Sequence, residues 1–251
     1  FTLPLIYLRP DLAREQLRFS MLSQDAQTGA LPYAHIGYGK QSGAGIHAQS
    51  SDLDLFLLWA AAEYFGALRD FSLLEEIIPF HPQSRGRVGT GLEHLQAALD
   101  HLLTKIGTGK HGLFRCGTGD WNDALVAFSR RKIATIRNGE SLLNAGLAAF
   151  ALPALAEVLL EHAPEFAAQL QAVARSQSEA ARPLWTGRWW ARGYTGAKDQ
   201  QLGVDRLFLD CQAFPTLAGL LNEEEQSKLL HSIEEHRSEE RRVGKECRSR
   251  W

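Results

Sequence analysis

Residues 51–68 read SDLDLFLLWAAAEYFGAL, and this stretch decides the fold class because it is apolar almost all round. A helix that is hydrophobic on every face belongs in the interior of a protein. Ser51 is the predicted N-cap, and Asp52 and Asp54 suit the positive end of the helix dipole. The stretch therefore predicts a helix that other helices surround.

Helical patterns continue on both sides of this segment. The spacing of apolar residues predicts helices over residues 11–24, 71–78, 90–106, 143–160, 164–181 and 223–235. The aromatic, Gly-rich residues 185–194 predict a loop or short hairpin. Long polar connections at 33–50 and 195–203 are of the kind that usually carries function. The sequence therefore predicts an all-α fold, a toroid of helical hairpins whose loops form a cleft at one end.

Both ends of the chain depart from an ordinary domain. The last fifteen residues, 237–251, read RSEERRVGKECRSRW and resemble the translation of a short-read sequencing adapter, so they are excluded as a non-native tail. The remaining partial domain, 1–236, has 21 basic and 26 acidic residues and lacks the basic surface of a nucleic-acid-binding protein. Phe1 begins an apolar run without an initiator Met, so we expect the toroid to be incomplete at both ends.

Composition and cysteines narrow the class further. With 45% hydrophobic and 22% charged residues, the chain is typical of a globular domain. Cys116 and Cys211 are isolated, which favours reduced thiols compatible with the cytoplasm, although a bridge between them stays open. His35 and His47 have no companion at metal-ligand spacing, so we expect no metal site.

The candidate site is residues 117–123, which read GTGDWND. Carboxyl groups serve carbohydrate chemistry as proton donors and hydroxyl acceptors, and an indole packs on the face of a pyranose. A flexible Gly-Thr-Gly turn is expected to lead into them. The alternative is an ordinary helix start, with Asp120 as the cap and Asp123 three residues later, and with Trp121 in the core. The mixture of residue types favours carbohydrate chemistry.

Five strings in consistent order resemble glycoside hydrolase family 94. They are Ser51-Asp52, Ala62-Glu63-Tyr64, the GTGDWND motif, Gly139-Glu140-Ser141 and Asp210-Cys211-Gln212. The family includes cellobiose and chitobiose phosphorylases and the phosphorylase-like domains of cyclic β-1,2-glucan synthases. The resemblance covers most of residues 1–236 and implies an (α/α)6 barrel.

The resemblance also implies residue roles. Asp123 corresponds to the general acid and Trp121 to a sugar contact, in an inverting reaction with inorganic phosphate as co-substrate and no cofactor. Burial beside Trp121 and the charge of Asp120 are expected to raise the pKa of Asp123. Further substrate-binding candidates are Asp120, Asp52, Glu140 and Gln212, although a helix-terminal or internally satisfied role is an alternative for the last three.

The resemblance leaves two other functions open. An inverting hydrolase on the same toroid needs a second carboxylate to activate water, and none stands out before His236. A non-catalytic carbohydrate-binding or scaffold domain of a β-glucan synthase is the other. Residues that bind the non-reducing sugar and phosphate in the family lie upstream of Phe1 and beyond His236, so we expect this fragment alone to be inactive.

The expected partners are an oligosaccharide or β-glucan and a second copy in a homodimer. The expected location is cytoplasmic, or membrane-associated within a large synthase.

Overall fold

The fold is built almost entirely from helices. A computed structural model describes residues 2–36, 40–42, 49–122, 126, 131–196 and 200–248. In chain order the helices are α1 (Thr2–Leu8), α2 (Pro10–Leu22), α3 (Leu53–Leu68), α4 (Ser72–Glu75), α5 (Gly91–His101), α6 (Lys132–Asn138), α7 (Leu142–Leu159), α8 (Pro164–Ala181), α9 (Ala213–Leu217) and α10 (Glu223–Arg248). A π-helical turn, Leu102–Ile106, continues α5.

Helices α3 and α7 form the centre of the core. They pack against each other; α8 and α9 cover α7, and α1, α2 and α5 cover α3. Residues on several faces of both helices are fully buried, including Leu58, Phe65, Leu147 and Leu152. The 18-residue α7 is long and apolar enough to cross a membrane, but 72% of it is buried inside the protein, as in a core helix. The prediction of an all-α fold built around residues 51–68 is confirmed.

Short strands connect the helices. Strand β1 (Ala34–Ile36) pairs with β2 (Lys40–Ser42), and β3 (Ile77–Pro79) pairs with β4 (Val88–Thr90), both antiparallel. A three-stranded sheet joins β5 (Glu140–Ser141), β6 (Gly193–Tyr194) and β7 (Gln201–Leu202). This sheet matters for the site because β5 leads directly into α7.

Two local predictions are wrong. Residues 71–78 were predicted to be helical, but the helix ends at Glu75, because Glu76 is extended and Ile77–Pro79 pairs with β4. The predicted N-cap of α3 is also displaced. Asp52 occupies the N-cap position without a side-chain cap, because the Ser51 hydroxyl donates instead to the carbonyls of Cys116 and Gly119.

The hairpin and the two cysteines follow their predictions, whereas the last helix is longer than predicted. The 185–194 segment folds back as a hairpin closed by a Trp185–Trp190 bridge, with Trp190 fully buried. Cys116 and Cys211 are buried and free. The last helix, predicted over 223–235, continues past His236 to Arg248, so residues 237–248 of the tail that was set apart extend α10.

Candidate functional site

The motif loop, residues 116–122, is fastened to the segment that precedes α3. The Thr118 N–H donates to the Gln49 carbonyl over 3.0 Å, and the Gln49 N–H donates to Thr118 Oγ1 over 3.1 Å. Gly117 has φ +57°, and a Cβ there would lie 2.4 Å from the Gln49 carbonyl oxygen. The Gly-Thr-Gly sequence was expected to be flexible. It instead forms a turn that only glycine fits and that hydrogen bonds hold in place.

Ser51, just before α3, and Asn144, in the first turn of α7, hold the same loop. Ser51 Oγ donates to the Cys116 carbonyl over 2.8 Å, and Asn144 Nδ2 donates to Ser51 Oγ over 2.8 Å. Both residues are fully buried. Ser141, the N-cap of α7, accepts from the Asn144 N–H over 3.2 Å. The loop is therefore fixed between the N-terminal ends of the two central helices.

A buried charge cluster fixes the loop from a third side; we call Arg192, Asp120, Ser141 and Asp210 the Arg192 cluster. Arg192 Nη2 donates to both carboxylate oxygens of Asp120, over 2.6 and 2.7 Å. Ser141 Oγ donates to Asp120 Oδ2 over 2.5 Å. Burial opposes the charged guanidinium, but the carboxylate charges of Asp120 and Asp210 outweigh it, so the pKa of Arg192 is raised. Asp120, predicted to bind substrate, is thus held in a buried ion pair.

Asp210 extends the cluster to the end of the loop. Its Oδ2 accepts from Arg192 Nε over 3.2 Å and from Asn122 Nδ2 over 3.1 Å. The Asn122 N–H donates to Asp120 Oδ1 over 3.0 Å. Asn122 is therefore held through both its backbone and its side chain, one residue before Asp123.

Trp121 is the residue that the loop presents to solvent. It is 67% exposed, and its indole packs against Phe56 with ring centroids 5.7 Å apart. A row of aromatic rings continues from Phe56 through Trp59 to Phe150 and Phe214. The alternative that Trp121 is an ordinary core residue is wrong. An exposed indole supported by a second ring is a suitable surface for stacking against a sugar.

The other predicted residues lie around the loop in different environments. Asp52 is buried beside it and accepts from Ser50 Oγ over 2.8 Å. Glu140 directs its buried carboxylate to the Leu113 N–H and to His111 Nδ1, over 3.1 and 2.7 Å. Gln212 is also buried and bonds the backbone groups of residues 190 and 208. Glu140 and Gln212 thus form hydrogen bonds within the protein, which was their alternative role. Sugar binding by Asp52, Glu140 and Gln212 stays a prediction.

Comparison with known families gives a match over nearly the whole chain. Residues 2–244 match the catalytic domain of the glycosyl hydrolase 94 superfamily. The chain belongs to this family. The helical fold is therefore that of a family 94 catalytic domain.

Two curated proteins are similar to this family 94 chain. A 3-O-beta-D-glucopyranosyl-beta-D-glucuronide phosphorylase of Paenibacillus borealis is 30% identical over 174 residues, which are 66% of this chain and 21% of that protein. A cellobionic acid phosphorylase of Neurospora crassa is 28% identical over 242 residues, 92% of this chain and 29% of that protein. The chain thus spans less than a third of the length of these relatives.

The predicted general acid, Asp123, lies outside the described residues. The two causes that were expected to raise its pKa can be compared with the neighbouring structure. Trp121 is mostly exposed, and the charge of Asp120 is compensated by Arg192. The expected rise in the pKa of Asp123 stays a prediction.

Four residues that hold the motif loop were not predicted from the sequence: Arg192, Ser141, Asn144 and Asp210. Ser141 and Asp210 lie inside the strings that carried the family resemblance, so the signal was present but was attributed to their neighbours Glu140 and Gln212. Arg192 follows two buried tryptophans, and a charged residue inside such an aromatic run was a signal that a carboxylate faces it.

Proposed function

We propose that the complete protein is an inverting glycoside phosphorylase that cleaves a β-linked glucoside or N-acetylglucosaminide with inorganic phosphate. The observation that carries the proposal is the fixed motif loop. Ser51 before α3, the first turn of α7 and the Arg192 cluster hold it, while Trp121 stays exposed. Membership of family 94 supports the proposal. So do the names of both relatives, which are phosphorylases.

In the proposed reaction Asp123 protonates the glycosidic oxygen while a phosphate oxygen attacks the anomeric carbon from the opposite face. The bond to the leaving sugar breaks, the bond to phosphate forms with inversion, and the proton ends on the hydroxyl of the leaving sugar. Because phosphate is already an anion, it needs no carboxylate to activate it. The water of an inverting hydrolase does need a carboxylate to activate it, and such enzymes hold their two carboxyl groups roughly 6.5–9.5 Å apart. Phosphate acts as co-substrate and no cofactor takes part.

The Arg192 cluster contributes by restricting the loop. Arg192 fixes Asp120, and Asp210 fixes the side chain of Asn122, so little conformational freedom remains where the chain enters Asp123. Holding an acid in position before the reaction lowers the entropic part of the barrier. Trp121 supplies the surface against which the sugar ring is oriented.

Replacing the acid tests the assignment. In the complete protein, Asp123→Asn should lower kcat by about 10²–10⁴-fold, the range for a positioned general acid. A 4-nitrophenyl glycoside, whose leaving group needs no proton, should lose much less activity. Asp205→Asn, at an exposed position of the same residue type, is the control. Equal losses on both substrates, or none, would remove Asp123 from the acid role.

Product analysis separates the phosphorylase from its rivals. The proposal requires α-configured sugar 1-phosphate from a β-linked substrate, formed only when phosphate is present. Free reducing sugar without phosphate would indicate an inverting hydrolase. Sugar binding with neither product would indicate a carbohydrate-binding or scaffold domain of a β-glucan synthase.

The finer parts of the proposal have their own tests. Disaccharides of the types in the relatives' names, a β-glucosyl glucuronide and cellobionic acid, belong in the substrate screen beside β-glucosides and N-acetylglucosaminides. We propose a homodimer, which sedimentation equilibrium of the complete protein will detect. A cytoplasmic location is part of the same proposal and is checked by fractionation of the source cells.

A further inference from the structure

A cavity lies beside the segment 107–115, which leads into the motif loop. Its volume is about 270 Å³, and it lies between the turn at 107–115, the C-terminal end of α6 and strand β6. Its polar lining side chains are Lys110, His111, Arg115, Asn138, Glu140 and Tyr194. We call it the Arg115 pocket.

The carboxylate in this pocket is already engaged. Glu140 accepts from the N–H groups of His111 and Leu113, over 3.2 and 3.1 Å, and from His111 Nδ1 over 2.7 Å. The His111 ring stacks on Tyr194, with centroids 3.6 Å apart and planes 7° from parallel. One wall of the pocket is therefore a rigid assembly of Glu140, His111 and Tyr194.

Arg115, unlike Glu140, has a buried polar atom without a hydrogen-bond partner among the described residues. It faces Glu140 across an antiparallel backbone bridge, yet the Glu140 carboxylate is turned toward His111 and Leu113. Arg115 Nε is buried and has no hydrogen-bond partner within the described ranges. A buried donor that lacks an acceptor costs free energy comparable to a lost hydrogen bond. Arg115 lines the pocket, so an anion bound there would supply an acceptor that the described residues do not.

The chemistry of the pocket defines the ligand. A guanidinium group binds carboxylate and phosphate oxygens through paired N–H donors. Pockets for drug-sized ligands have volumes of about 300–1,000 Å³, so 270 Å³ suits a smaller molecule. We propose that the Arg115 pocket binds the carboxylate or phosphate group of a sugar-sized anion. This site is additional to the proposed phosphorolysis and does not depend on it.

Binding is measured on the 251-residue chain, by titration calorimetry in an anion-poor buffer. The probes are D-glucuronate, inorganic phosphate and, as a neutral control of similar size, D-glucose. Arg115→Met removes the guanidinium, and Arg115→Lys keeps the charge but not the paired donors. Arg175→Met is the matched control, because Arg175 is exposed on α8. Circular dichroism verifies that each variant is folded.

We expect at least one anionic probe to bind the wild-type chain, and any binding of D-glucose to be the same in the wild type and in Arg115→Met. Arg115→Met should weaken the anion binding at least tenfold, Arg115→Lys should weaken it less, and Arg175→Met should leave it unchanged. Binding of glucuronate alone assigns the pocket to a sugar acid, and binding of phosphate alone assigns it to a phosphate group. The proposal is overturned if neither anion binds, or if Arg115→Met and Arg115→Lys both bind as the wild type does.

Discussion

Arg192 and Arg115 both adjoin the motif loop, and they differ in the partners that the protein provides for the guanidinium group. Arg192 is 1% exposed and binds two carboxylates, Asp120 and Asp210. Arg115 directly precedes the loop, is half-buried, and has a buried nitrogen that no described residue accepts from. A compensated buried charge fixes a structure, whereas an uncompensated one is a candidate for binding a ligand. Beside the same loop, Arg192 therefore stabilises the fold, and Arg115 is the residue proposed to bind a ligand.

The largest effect should come from breaking the compensated pair. Arg192→Met leaves Asp120 buried without its counter-charge, and breaking one side of a buried ion pair costs about 3–5 kcal/mol. We expect the free energy of unfolding of the 251-residue chain, measured by urea denaturation, to fall by that amount. Arg175→Met, at an exposed position, should change it by less than about 0.5 kcal/mol.

A double variant sharpens this result. Asp120→Leu with Arg192→Met removes both charges, so it should recover part of the stability that Arg192→Met alone loses. If the double variant is as unstable as the sum of the two single variants, the ion pair is not the origin of the loss. The loop would then depend mainly on Ser51 and Asn144.

The loop between the two arginines should be the next most sensitive point. Gly117→Ala adds a Cβ 2.4 Å from the Gln49 carbonyl oxygen at φ +57°. Gly187→Ala is the matched control, because Gly187 also has positive φ, +92°, but has nothing within 4 Å of an added Cβ. The control should lose about 1–2 kcal/mol from backbone strain alone, and Gly117→Ala should lose more. Equal losses would mean that the contact with Gln49 relaxes freely.

The helices were predictable from sequence because local patterns determine them. The residues 164–181 were predicted to the residue as α8, since Pro164 begins that helix and its apolar period ends with it. The segment 71–78 was mispredicted because Ile77 and Ile78 pair with residues 89 and 90, and strand pairing is not visible in a local pattern. Helix boundaries that depend on distant pairing partners could not be predicted from the local sequence.

The same distinction applies to the site. The motif string identified Trp121 and the loop, because their residue types are unusual together. Arg192 could not be assigned, since 72 positions separate it from Asp120 and nothing local pairs them. Ser51 was misassigned for the same reason: its hydroxyl partner, Cys116, is 65 positions away.

Asp54 has one carboxylate oxygen with a partner and one without, so it combines the situations of Arg192 and Arg115. It provides a test by pH. Its Oδ2 bonds His101 Nδ1 over 2.7 Å, while its Oδ1 is buried without a partner in the described chain. Burial raises the pKa of Asp54, despite the opposing hydrogen bond and charge of His101. The folded state therefore holds the Asp54 proton more tightly than the unfolded state does, so this stabilisation is full below the ordinary pKa and is lost as pH rises through the folded value.

Asp54→Asn removes that titration. Relative to the variant, the wild-type chain should lose on the order of 1 kcal/mol of unfolding free energy between pH 4 and pH 8, by the cost of an unsatisfied buried group. Urea denaturation of both proteins across this range measures the difference. A wild-type chain that gains stability over Asp54→Asn as pH rises would show that the ion pair with His101 outweighs burial.

The smallest effect on stability should come from Arg115, and it completes the comparison. Because its buried nitrogen already lacks an acceptor among the described residues, Arg115→Met should leave the free energy of unfolding unchanged in anion-poor buffer, or raise it by on the order of 1 kcal/mol. At ten times its dissociation constant, the anion found by calorimetry should stabilise the wild-type chain by about 1.4 kcal/mol and leave Arg115→Met unaffected. Thermal unfolding with and without that anion measures both. A loss above about 2 kcal/mol without anion would mean that the chain itself satisfies Arg115, and the contrast with Arg192 would then be one of degree only.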